Sequence, residues 1–208
     1  MLNLASKLLI CLLFACTTSP NAVQDSNMPI SAEAKRISDA ALSLTKDKVV
    51  YDPTYFNIAY PNGDVPKDKG VCTDVVIRTY RKLGIDLQYL VHEDMQKNFA
   101  QYPQNWGLKK TDSNIDHRRV PNLMCFFSRF GKVKAKTKKS ADYKPGEIVA
   151  WKLDGGQTHI GLVVNQLSAD QQRYMVVHNI GNGQELSDCL FDFEIIGHYY
   201  YYSDNTKL

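Results

Sequence analysis

Residues 144–164, Lys144-Pro145-Gly146-Glu147-Ile148-Val149-Ala150-Trp151-Lys152-Leu153-Asp154-Gly155-Gly156-Gln157-Thr158-His159-Ile160-Gly161-Leu162-Val163-Val164, mark the point at which this chain changes its period. A Lys-Pro-Gly-Glu turn opens the stretch. Two β-branched runs follow, Ile148 to Trp151 and Ile160 to Val164, with a glycine-containing loop between them. Tyr174 to Val177 and Ile195 to Tyr201 continue the series of short β-rich segments. Upstream the spacing is helical. Ser31 is suited to cap a helix running to about Lys46, with Ala34, Ile37, Ala41 and Leu44 along one face. Further helices are predicted over Val71 to Leu83, with Gly84 as a left-handed stop, over Leu90 to Ala100, and from Pro121 to near Gly131. Helices first and strands afterwards predict an α+β fold, a small antiparallel sheet with helices packed against it, in one domain over residues 31–208.

With 208 residues, 44% of them hydrophobic and 23% charged, the chain can bury a substantial core without disulfides. A net charge of +3 is too slight to argue for nucleic-acid binding, so none is expected. Lys132 to Lys139 is rich in lysine but broken by Val133, Ala135 and Thr137, and reads as an exposed edge strand. Residues 1–16 read as a leader: Lys7 precedes the apolar run Leu8 to Ala15, which is too short to span a bilayer and fits a secretion signal. Leu13-Phe14-Ala15-Cys16 resembles a bacterial lipobox, so Cys16 is a candidate lipid anchor, with ordinary cleavage nearby as the alternative. Residues 17–30 read as a tether. The expected location is the periplasm or cell envelope.

Cys72, Cys125 and Cys189 remain in the exported part, an odd number that leaves at least one free thiol. A Cys125–Cys189 disulfide and two small buried apolar residues are both open at this stage. Cys72 is distinguished by place. It stands where a helix is predicted to begin, in Gly70-Val71-Cys72-Thr73-Asp74, and unpaired N–H groups at a helix start favour thiolate, whereas Asp74 opposes it. Thiol catalysis also needs a base and a group to orient it. His159 at the mouth of one strand and His178 at the end of the next would be neighbours if those strands pair antiparallel.

The segments G-V-C-T-D-V-V, K-P-G-E-I-V-A-W, T-H-I-G-L-V-V and M-V-V-H-N together resemble the NlpC-type branch of papain-like cysteine peptidases and amidases, over about residues 50 to 200. Y-P-N-G-D-V-P, G-V-C-T-D, I-D-H-R-R-V-P-N-L and T-H-I-G are most similar, within that superfamily, to a group of exported bacterial proteins of unassigned function. The resemblance implies a papain-like fold and cleavage of peptide or amide bonds in peptidoglycan or its peptide fragments. It also implies Cys72 as nucleophile, His159 as base and His178 as the orienting residue, with no cofactor. The loop Asn165 to Arg173 is longer than expected of a cell-wall endopeptidase, and we find no cell-wall-binding repeat.

Asp116-His117-Arg118-Arg119, ahead of Val120-Pro121, is expected to be extended loop. Its two arginines suit substrate carboxylates, or else the loop pins itself through Asp116. His117 is a rival to His178 as orienting group, and Tyr60 is a candidate phenol near the reacting carbonyl. Asn179 is placed to cap the site, unless the strand continues past His178, in which case its side chain points to the opposite sheet face. His92 and His198 are left as structural. Two other functions stay open: a non-catalytic envelope binding module holding peptide stems through Arg118 and Arg119, and thiol-dependent acyl transfer. Zinc held by His159, His178 and Asp116 is a weaker alternative, without the helical histidine spacing of zinc proteases. Oligomeric state cannot be read from the sequence.

Overall fold

In the computed structural model, residues 29–202 are described. The leader, residues 17–28 of the tether and residues 203–208 lie outside them, as do Cys11 and Cys16. Four helices precede the main sheet: α1 (Ala32–Leu44), α2 (Cys72–Lys82), α3 (Leu87–Asn98) and α4 (Val120–Phe130). Each boundary has a local cause. Ser31 accepts the Ala34 N–H at 3.1 Å. Gly84 takes φ +79° just beyond α2, a conformation open to a residue without Cβ. Asp86 caps α3 by accepting the Gln88 N–H at 3.0 Å, so that helix begins three residues before the predicted Leu90.

The strands are β1 (Val50–Tyr51), β2 (Lys69–Gly70), β3 (Lys132–Val133), β4 (Ile148–Lys152), β5 (Thr158–Leu167), β6 (Tyr174–His178), β7 (Glu185–Ser187) and β8 (Glu194–Tyr200). β1 and β2 form a small parallel pair with Tyr51 opposite Gly70. The other six make one antiparallel sheet in the order β3-β8-β4-β5-β6-β7. The lysine-rich stretch does supply an edge strand, though only Lys132 and Val133 are laddered. β5 runs on to Leu167, and a compact turn closed by Ser168 N–H to Arg173 O at 2.9 Å replaces the long loop expected after Asn165.

Both faces of the sheet are covered. Ile148, Ala150, Ile160, Leu162 and Val164 pack with Ile37 and Leu44 of α1, Val75, Val76 and Tyr80 of α2, and Phe127 of α4. Val149, Trp151, Val163 and Val176 pack on the other side with Tyr143, Cys189 and Leu190. This is why β4 and β5 read as unbroken apolar runs and not as alternating ones. Gly161 has no room for a side chain, since an added Cβ would lie 2.7 Å from Val176 Cγ1 and 3.1 Å from His178 Cβ. Its absence lets β6 bring His178 close to β5.

Candidate active site

α2 opens at Cys72 without a side chain capping it from Val71. Instead the Asp74 carboxylate turns back to accept the Val71 N–H at 2.7 Å. From Cys72 to Tyr80 every residue of the helix is buried. The sulfur therefore lies in the core, 7% exposed, and the Ile160 N–H points at it. The ladder explains why that N–H is free. Val163 N–H donates to Glu147 O on the β4 side, so Ile160, three residues back, turns its N–H toward β6, whose pairing stops at Leu162 opposite Val177. The helix start fills the place a longer β6 would occupy.

The two histidines meet as the strand order requires. His159 Nε2 and His178 Nδ1 lie 2.9 Å apart, with the rings edge to face at 5.1 Å. Trp151 lies alongside His159 at 5.7 Å and 31°, held by donating its indole N–H to Leu190 O at 3.0 Å. His178 Nε2 is 3.5 Å from Cys189 Sγ. His159 Nδ1 takes no part in this chain of contacts. Asn179 lies beyond the strand: β6 ends at His178, and the Asn179 amide donates to Gly70 O at 3.2 Å, tying the histidine strand to the segment that delivers Cys72.

Burial decides the charge state. It pushes the Cys72 thiol from 9.0 up to about 12, with Asp74 adding to the effect and the Ile160, Thr73 and Cys72 N–H groups opposing it. Burial likewise holds His159 at about 3, helped by its neighbour His178, and His178 at about 4. Cys72 thus rests as a neutral thiol, and His159 and His178 as neutral imidazoles. The expected advantage of the helix start for thiolate is present but smaller than the desolvation it meets.

The remaining candidates lie elsewhere. Tyr60 donates to Glu93 at 2.8 Å and packs edge-on against His92. The phenol that senses the Cys72 sulfur is that of Tyr51, 39% exposed on β1, a residue the sequence does not single out among 12 tyrosines. Asp116, His117 and Arg118 form one 3-10 turn, not extended chain; Arg119 alone is extended. Asp116 accepts from the Asp112 N–H at 2.8 Å and lies 2.9 Å from His92 Nδ1. Arg118 spends its fork on Asp74, at 2.9 and 3.0 Å, in a pair whose side chains are almost wholly buried. The loop therefore pins itself, though through Arg118 to α2 and not through Asp116 to an arginine. Arg119 lies over the exposed Trp106 ring at 3.9 Å. His117 is buried and held at about 3 by desolvation and by the Arg118 charge.

His92 and His198, left without partners in the sequence reading, both have them. His92 Nε2 lies 2.9 Å from the Gln96 amide, and His198 lies 2.7 Å from Glu147 and 2.8 Å from Ala135 O. Cys72, Cys125 and Cys189 are all free thiols; Cys125 donates to Gln101 O. Among the described residues no three His, Cys, Asp or Glu side chains are gathered as a metal site, and Asp116 is engaged by His92 away from the histidine pair. No described helix is long and apolar enough to cross a membrane.

The chain is similar to a protein of Escherichia coli (strain K12) described as uncharacterized protein YijF, 48% identical over 203 residues, covering 95% of this chain and 98% of that one. Residues 38–201, which include all the strands of the main sheet and every residue of the site above, match a family described as a domain of unknown function. On both grounds the chain belongs to that family, DUF1287.

Proposed function

We propose that the protein is an exported thiol hydrolase of the papain-like, NlpC-type class that cuts peptide or amide bonds of bacterial peptidoglycan. The observation that carries this reading is the 2.9 Å contact between His159 and His178 at the strand ends where the Ile160 N–H meets the Cys72 sulfur. Cys72 on α2, His159 on β5 and His178 on β6 come from three elements, which supports roles as nucleophile, base and orienting group. Export is supported by residues 1–16 of the sequence, and peptidoglycan by the motif resemblance.

Cys72 attacks the scissile carbonyl while its proton passes to His159 Nδ1. The imidazolium so formed donates its Nε2–H to His178 Nδ1. Because burial keeps both partners neutral at rest, charge separation is deferred until substrate fills the site and its own dipoles are present. Backbone N–H groups at the start of α2 are placed to receive the oxyanion. His159 then returns the proton to the leaving amine, and water releases the acyl group from sulfur.

Digestion of purified peptidoglycan by the wild-type protein and by Cys72→Ala, with products read by mass spectrometry and chelator present, tests this. New peptide or amide ends from wild type alone are expected. Equal release by Cys72→Ala, or no release by folded wild type, would refute it; wall binding without release would favour a non-catalytic envelope module. An added amine captured in the product would identify acyl transfer.

A further inference from the structure

Beyond the histidine pair the contacts continue to a third side chain that the proposed chemistry does not use. Cys189 Sγ sits 3.5 Å from His178 Nε2, and the cysteine, the two imidazoles and the Trp151 ring are all buried. Trp151 holds both ends of this row. Its ring flanks His159, and its indole N–H clamps the carbonyl of Leu190, the residue next to Cys189. Trp151 thus contacts the row at both ends, and what the contacts leave to be decided is the placement of its protons.

Two placements satisfy both contacts. In one, His178 Nε2–H donates to the sulfur, His178 Nδ1 accepts from His159 Nε2–H, and His159 Nδ1 is left as a bare base. In the other, the Cys189 S–H donates to His178 Nε2, His178 Nδ1–H donates to His159 Nε2, and His159 Nδ1 carries the proton. Only the first lets His159 receive a proton from Cys72. The surroundings of Cys189 favour it: Asp192, Asp188 and Glu185 bring negative charge to that end, with Asp188 also paired to Arg173. Such a field draws the positive end of the His178 Nε2–H dipole toward the sulfur. A thiol is a weak donor and so does not contest the arrangement.

We propose that Cys189 is a positioning residue for the histidine pair: its sulfur accepts the His178 Nε2–H and thereby fixes His159 in the tautomer with a free Nδ1. This rests on the hydrolase reading for its purpose, but not for its test.

The test is the nitrogen protonation pattern of the imidazoles in the ¹⁵N-labelled full chain, assigned with His159→Gln and His178→Gln. Both rings are expected to carry their proton on Nε2. In Cys189→Val, which offers His178 Nε2 neither donor nor acceptor, both rings are expected to become mixtures of tautomers. Cys189→Ala, which likewise has neither donor nor acceptor, should give the same mixture and serves if the valine variant does not fold. A wild-type His178 protonated on Nδ1, or wild-type tautomers retained in whichever variants fold, would overturn the proposal. The readout needs no substrate, so failure to cleave peptidoglycan would sink the hydrolase reading while leaving this result standing.

Discussion

Whether Cys72 rests as thiol or thiolate follows from a balance that the structure lets us weigh. The raised value of about 12, against 9.0 for a free thiol, sets the thiolate at a disadvantage of about 4 kcal/mol. Burial supplies most of this, and three backbone N–H groups do not offset it. At about pH 8 roughly one molecule in ten thousand would carry the thiolate. The perturbation is pH itself, and the assay is the rate of iodoacetamide alkylation of the Cys72 peptide from about pH 6 to about pH 9, followed by mass spectrometry. The rate should rise about ten-fold per pH unit with no plateau, because the ionised fraction stays far from saturation throughout. His159→Ala should leave the profile unchanged, since a neutral imidazole offers the sulfur no charge. A plateau beginning below neutral pH, lost in His159→Ala, would mean a preformed thiolate–imidazolium pair and would refute the claim that burial outweighs the helix start.

Other outcomes follow from the same geometry. Arg118→Ala leaves the Asp74 carboxylate buried without its partner and should lower stability by about 3–5 kcal/mol in urea unfolding, with much of the loss recovered when Asp74 is also made apolar. Unmoved midpoints would show that water reaches the pair. His117, His159 and His178 are held neutral when folded, at about 3, 3 and 4, and protonate near 6.5 when unfolded, so the unfolded state binds more protons as pH falls. Their contribution is present above about pH 6.5 and lost below it, by about 3 kcal/mol per histidine near pH 4, and a folded His117→Gln should show a shallower acid slope. Gly161→Ala forces a Cβ to within 3.0 Å of Val177 O and should cost about 1–3 kcal/mol while weakening the His159–His178 contact; a wild-type melting profile would show that β6 shifts freely. Ser31→Ala removes the α1 cap and should cost about 1 kcal/mol by thermal melt, with no change in Cys72 alkylation.

Local chemistry was legible where the cause is local. Ser31, Gly84 and Pro121 mark helix limits because capping, left-handed turns and a missing N–H act within a few residues of themselves. The α+β order followed from a change of period, and the meeting of His159 with His178 followed from antiparallel pairing across one turn. Tyr60 and Tyr51 could not be told apart, because nearness to Cys72 depends on β1 lying beside β2 and not on a count of positions. Arg118 looked available to substrate because the sequence carries no sign that Asp74, on another element, would take its Nε–H and an Nη2–H. The direction of Asn179 turned on one residue of strand length: β6 stops at His178, and the amide turns to Gly70.

The amino-acid order by itself determined the four helices, the longer strands and their α+β arrangement, and offered Cys72, His159 and His178 as candidates, since propensity and period are properties of neighbouring residues. Only the tertiary structure decided their charges. Desolvation depends on everything packed around a group, and it is the helices and strands closing over Cys72, His159 and His178 that hold all three neutral.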